Sequence, residues 1–145
     1  MKPHATATWR GSSRAGEGTI STLSGVFNNS IFTQGTSAMG LPCTNPAEIL
    51  AAAEASCISI MIAKELDKER IIADEIEVTS EILLAPEEEG WNIPHIKLTV
   101  KAFIPEIEKG KFETIVKRAR ERCPITRSLK SIVTIEALVE TAVQA

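Results

Sequence analysis

The chain has 145 residues, enough for one domain around one hydrophobic core. Apolar residues make up 43% of it and charged residues 24%, the balance of a soluble globular protein, and an aromatic content of 4% makes that core aliphatic. The net charge of −3 argues against general nucleic-acid binding, which needs a basic surface to neutralise phosphates.

Residues 1–6 hold no apolar stretch, so no signal peptide is expected. Ala5-Thr6-Ala7-Thr8-Trp9 alternates with period two and predicts a strand. Residues 11–18 read as a turn region and residues 19–22 as a second short strand. Residues 35–43, with Gly35, Gly40 and Pro42, read as a loop. A helix then opens with a clear signal: Asn45 as N-cap, Pro46 at the first helical position, and Glu48 where a capping box places its Glu. From 49 to 63 the helix is apolar nearly all round, which predicts burial on most sides. Glu54 interrupts that run, which is too short for a bilayer span, so no membrane partner is expected. Polarity returns over 64–70.

Residues 76–79 and 96–103 alternate as half-buried antiparallel strands, and the acidic turn at 86–90 between them predicts a hairpin. Phe112, Ile115, Val116 and Ala119 have helical spacing, supported by Glu113–Lys117 and Lys117–Glu121 pairs. This amphipathic helix ends near Arg122, one helical turn follows Pro124, and residues 132–139 close the chain as a strand. The short connections predict an α+β fold rather than a doubly wound parallel sheet, in a single domain over 1–145.

Two of the three cysteines stand in unlike settings. Cys57 lies mid-helix in the apolar run, more than two turns past the cap. Burial there raises a thiol pKa above its reference of about 8.5, and the helix dipole gives little help. By itself Cys57 reads as a small core hydrophobe. Cys123 has Arg118, Arg120, Arg122 and Arg127 near it and precedes Pro124. That is a positive field at the start of a helical turn, which favours a thiolate; the competing reading is a helix-end cysteine among solvated arginines. If the two meet in space, one can react with an apolar oxidant and the other can close a disulfide. Cys43 lies in the loop before the Asn45 cap, as a spare or a third thiol.

Glu54 is the one charge between Ile49 and Ala63 and falls on roughly the same helix face as Cys57. A buried carboxylate needs a partner or a raised pKa. It either orients an arginine beside the thiol or faces a wet rim. A bare carboxylate would oppose the thiolate, so the first reading requires a nearby cation, with Arg127 the better candidate and Arg10 the other. Glu48 most simply completes the capping box. The cysteines lack paired zinc-type spacing, and His4 and His95 are isolated, so no metal or cofactor is expected. There is no dinucleotide fingerprint, P-loop or nucleophile elbow.

The stretch Thr44-Asn45-Pro46-Ala47-Glu48-Ile49-Leu50-Ala51-Ala52-Ala53-Glu54-Ala55-Ser56-Cys57 resembles the first cysteine motif of the OsmC/Ohr family. Cys123-Pro124-Ile125-Thr126 is similar to its second, and residues 18–26 resemble the N-terminal segment of the OsmC branch. The resemblance covers essentially the whole chain. It implies an intertwined homodimer with sheets wrapped around two long central helices, and sites at the interface. It implies a thiol-dependent peroxidase acting on organic hydroperoxides, with Cys57 peroxidatic, Cys123 resolving, and a dithiol such as a lipoyl protein as reductant. The sequence departs from the pattern at two positions. Ala47 stands where the family has its active-site Glu, and gap-free counting puts Ser37 where it has its active-site Arg. Glu54 with Arg127 or Arg10 are the candidate substitutes.

The leading expectation is therefore a cytoplasmic organic hydroperoxide reductase. Its rival is a non-peroxidatic dimer of the same fold that binds a small apolar or acyl ligand, with the cysteines as redox sensor or relic. A purely structural dimer is the third.

Overall fold

The computed structural model describes residues 1–35, 37, 38 and 40–141. The chain divides into two compact units, Met1–Leu50 and Ala51–Ala145, and one helix, α1 (Pro46–Lys68), runs through the boundary.

In the first unit β1 (Ala5–Arg10), β2 (Glu17–Thr22) and β3 (Ser30–Phe32) form an antiparallel sheet in that order. The β1–β2 turn lies within the segment read as a turn from its glycines. Gly18 faces Phe32 across the β2–β3 ladder, and a Cβ there would stand 2.3 Å from the Phe32 ring. Trp9 completes this small cluster, its ring centroid 5.8 Å from that of Phe32. The segment expected to be a plain loop carries two paired fragments, β4 (Ser37–Ala38) and β5 (Leu41–Pro42). Gly40 has a φ of +77°, a conformation that only glycine adopts without strain. Both β3 and this pair are too short to leave a period in the sequence.

α1 begins as its cap predicts. Asn45 Oδ1 accepts from the Glu48 N–H at 2.9 Å, while the Glu48 carboxylate accepts from the Thr44 hydroxyl at 3.1 Å. It ends by a device that the sequence did not announce. Arg70 takes a φ of 58°, its N–H bonds to Asp67 O, and the Ile71 N–H bonds to Leu66 O, which together make a Schellman termination.

In the second unit β6 (Glu75–Glu87) and β7 (Gly90–Phe103) form the expected hairpin, longer than predicted at both strands. Pro94 falls in β7 where the register shifts between Leu83 and Ala85, so the N–H it lacks breaks no regular ladder. α2 (Lys109–Arg122) and α3 (Pro124–Ser128) then carry the chain back to β8 (Ile132–Glu140), which pairs with β7 in parallel. The unit is thus mixed helix and sheet, with a mixed β6-β7-β8 sheet rather than a purely antiparallel one. A parallel neighbour requires a crossover, and α2 with α3 supply it.

Alternation in the strands sorts the two faces. Ile96, Leu98, Val100 and Ala102 of β7 are buried beside Ile76, Val78 and Ile82 of β6 and Val133 and Ile135 of β8. Phe112, Ile115, Val116 and Ala119 of α2 and Ile58, Ile62 and Leu66 of α1 complete that core. The opposite face pairs Glu77 with Lys101 and Glu81 with Lys97 across the ladder.

Two expectations about α1 are corrected. Its buried residues are Glu54, Ile58, Ile62, Glu65 and Leu66, a single stripe, and Ile60 on the other side is 56% exposed. Within one chain the helix is therefore covered on one face only. With 23 residues it is also long and apolar enough to cross a membrane by length and composition. The apolar run over 49–63 is shorter than the helix that carries it, which continues to Lys68. Its buried stripe contributes to the core of the fold.

Candidate active site

α1 and the α2–α3 junction bring two thiols together. Cys57 is half-buried, three residues beyond Glu54 on α1. Cys123 links α2 to α3 in extended conformation, with φ −67° and ψ 117°. Pro124, at the first position of α3, forces this break, because the residue before a proline is pushed out of helical geometry. The extended residue buries its side chain completely, and its Sγ donates to Cys57 Sγ at 2.8 Å.

The environment of Cys57 holds it as a thiol. Burial, first, and then the contact with Cys123 push its pKa up to about 11, and the Glu54 charge adds to the rise. The Ile125 backbone N–H is the one group acting in the opposite direction. Among the described residues no cation contributes to lowering it.

Glu54 is fully buried. Its Oε1 accepts a hydrogen bond from the Thr126 hydroxyl of α3, and its Oε2 has no partner among the described residues. The expected Glu54–Arg127 pair is therefore corrected. The neighbouring residue, Thr126, faces the carboxylate, while Arg127 is exposed and makes no ion pair among the described residues. One residue along a helix rotates a side chain by about 100°, which separates the two directions.

Three of the four arginines near Cys123 have partners of their own. Arg118 lies 3.9 Å from Glu69, Arg120 Nε donates to Val133 O at 2.9 Å, and Arg122 Nη1 donates to Glu65 Oε1 at 2.8 Å. These guanidinium groups tie helices and strand together.

Glu65 was passed over by sequence reasoning, because it lies where α1 turns polar and looks solvated. It is only 2% exposed, and its carboxylate takes Lys68 Nζ at 2.6 Å as well as Arg122. Lys68 first, and Arg122 with it, hold its carboxyl below the ordinary carboxylate range despite burial.

Cys43, Arg10 and Ala47 belong to the first unit. Cys43 shares a hydrogen bond of 3.4 Å with Thr33, Arg10 lies in β1 and Ala47 at the start of α1. The Ser37 side chain lies outside the described residues. His95 bonds Thr134 at 3.0 Å on the sheet. No three metal-binding side chains cluster among the described residues. A groove of about 700 Å³ between α2 and β8 includes neither Cys57 nor Cys123. Given a two-electron oxidant, the two thiols can close a disulfide with little movement of sulfur.

Comparison with known proteins gives a consistent set of relatives. Residues 38–137 match a family described as OsmC-like protein. The chain is 32% identical over 130 residues to peroxiredoxin OsmC of Escherichia coli (strain K12), covering 90% of this chain and 91% of that one. An OsmC-like protein of unknown function from Vibrio cholerae O1 superposes with a TM-score of 0.78 at 17% identity, over 95% of this chain and 99% of its own. The organic hydroperoxide resistance protein OhrB of Bacillus subtilis does so with a TM-score of 0.68 at 24% identity, over 94% and 98%.

Proposed function

This chain belongs to the OsmC-like family, and from that premise we propose that it is a thiol peroxidase that reduces organic hydroperoxides. The names of its E. coli and B. subtilis relatives support a peroxidase-type role for the family. The observation that carries the reading to this chain is the 2.8 Å contact between Cys57 and Cys123 within aliphatic surroundings.

Cys57, as thiolate, attacks one oxygen of the hydroperoxide. The O–O bond breaks, the alkoxide takes a proton and leaves as alcohol, and Cys57 becomes a sulfenic acid. The Cys123 thiol then displaces water from that sulfur to form the Cys57–Cys123 disulfide. A dithiol, such as a lipoyl group, reduces it by exchange and is itself oxidised to a disulfide. Cys57 is the half-exposed thiol and Cys123 the buried one, which suits the first to attack and the second to resolve.

At pH 7 a thiol of pKa about 11 is thiolate in roughly one molecule in ten thousand. The reading therefore requires a cation that reaches Cys57 in the assembled protein. A homodimer of a cytoplasmic single-domain protein is part of the same proposal. The exposed stripe Ala52, Ser56, Ile60 and Ala63 on α1 supports coverage by a second copy.

The test is intact-mass spectrometry of reduced protein after one equivalent of cumene hydroperoxide, beside a hydrogen peroxide sample. Fast loss of two hydrogens with the organic peroxide, mapped to Cys57–Cys123, is the expected result. If no oxidation occurs within minutes, the raised Cys57 pKa and the exposed apolar stripe favour the second reading, a dimer that binds an apolar or acyl ligand.

A further inference from the structure

Among the described residues the buried charged ones, Glu54 and Glu65, both lie on α1 and flank Cys57 along it, three residues before and eight after. Both carboxylates grip the segment that carries the other thiol. Glu65 holds Arg122, the residue before Cys123, and Glu54 holds Thr126, three residues after it. We propose that Glu54–Thr126 and Glu65–Arg122 form a two-point clamp that fixes the α2–α3 junction on α1 and so sets the effective concentration of the Cys123 thiol at Cys57. These four are positioning residues. They act on disulfide formation through the backbone that presents Cys123. The proposal rests on the Cys57–Cys123 pairing of the reading above and extends it to how the pair is held.

The physical case has three parts. First, the junction has little regular structure of its own, its other anchorage being the packing of Cys123, Ile125 and Leu129 against the core. Cys123 is in extended conformation between two helices, and α3 is only five residues long, too short to be stable alone. Second, burying two carboxylates is unfavourable unless each meets partners, so their placement is not explained by core packing. Third, the two ties bracket Cys123 on both sides, which restrains rotation of the junction as well as translation. The ties also differ. Glu65 has two cationic partners, whereas Glu54 has a hydroxyl on one oxygen and none on the other among the described residues. The Thr126 tie is thus the looser point.

The clamp is tested with a redox equilibrium that needs no peroxide. Glutathione disulfide oxidises the Cys57–Cys123 dithiol, forming the protein disulfide and two molecules of glutathione. The fraction oxidised across glutathione buffers gives the effective concentration of one thiol at the other. Thr126→Val and Arg122→Met each remove one tie, and each is expected to lower that concentration about tenfold in native buffer. In concentrated urea, where the clamp does not exist, both should match the parent. Thr126→Ser and Arg122→Lys keep a donor and should restore most of the loss. Thr126→Val and Arg122→Met proteins that melt cooperatively yet keep the parent equilibrium within twofold would overturn the clamp. So would a loss that persists in urea. If one variant fails to fold, the other tie carries the test. A protein that forms this disulfide with glutathione but ignores hydroperoxides would sink the peroxidase reading and leave the clamp standing.

Discussion

Cys57 is governed by its first neighbours more than by its place in the helix. Burial raises its pKa, the Cys123 contact raises it further, and Glu54 adds a like-charge penalty to the thiolate. Removing only that charge separates the contributions. Glu54→Gln keeps an oxygen to accept from Thr126 but carries no charge, so it is expected to bring the Cys57 pKa below 11. The pH profile of iodoacetamide alkylation at Cys57 reads this directly, and a midpoint equal to or above that of the parent would refute the assignment. The importance of this position was legible, since a lone Glu in an apolar run three residues before a cysteine is conspicuous. Its partner was not legible. Arg127 and Thr126 are adjacent in sequence, and only the orientation of α3 decides which of them points at the carboxylate.

Between elements, the strongest polar link ties α1 to α2 through Glu65, Lys68 and Arg122. Because the folded pKa of Glu65 lies below its unfolded value, its contribution is complete above the ordinary carboxylate pKa of about 4.3. It is lost as the pH falls through the lower folded value. Glu65→Gln should therefore lower unfolding stability by about 1–2 kcal/mol at pH 7, since both cations are half exposed and screened. Below about pH 4 the difference from the parent should shrink, which urea titrations at pH 7 and pH 3 will measure. The end of α1 offers a second check. Arg70 occupies a left-handed conformation that glycine adopts freely, so Arg70→Gly is expected to raise the thermal midpoint, with a gain of about 0.5–1 kcal/mol. A fall in the midpoint would show that the Arg70 side chain contributes more than its backbone strain costs. Element types read well from the sequence wherever the pattern was long: the capped helix, the β6–β7 hairpin and amphipathic α2. The parallel pairing of β8 was not readable, because alternation defines a face but not a direction.

For the whole molecule, the unexplained quantity is the outer face of α1. A helix apolar all round but covered on one side leaves Ile60 56% exposed, beside the small residues Ala52, Ser56 and Ala63. Ile60→Glu is expected to shift the protein toward the monomer in sedimentation velocity while far-UV circular dichroism keeps its helical signal. An unchanged sedimentation coefficient would show that this face does not join two copies. The same comparison bears on reactivity. If a second copy supplies the cation that Cys57 requires, the monomeric variant should also alkylate more slowly at neutral pH.

The sequence by itself determined the two cysteine motifs, the capped apolar helix, the aliphatic core positions and the α+β class. Those features are written in local chemistry and in periods of 2 and 3.6 residues, which survive without knowledge of the fold. Only the tertiary structure decided that Cys57 and Cys123 touch, that Thr126 rather than Arg127 meets Glu54, that Glu65 is buried, and that Arg118, Arg120 and Arg122 meet other partners. Each of these depends on how α1, α2 and α3 are rotated about their own axes. That rotation is set by packing Ile58, Ile62, Phe112 and Ile115 against the sheet, a long-range condition that local sequence does not record.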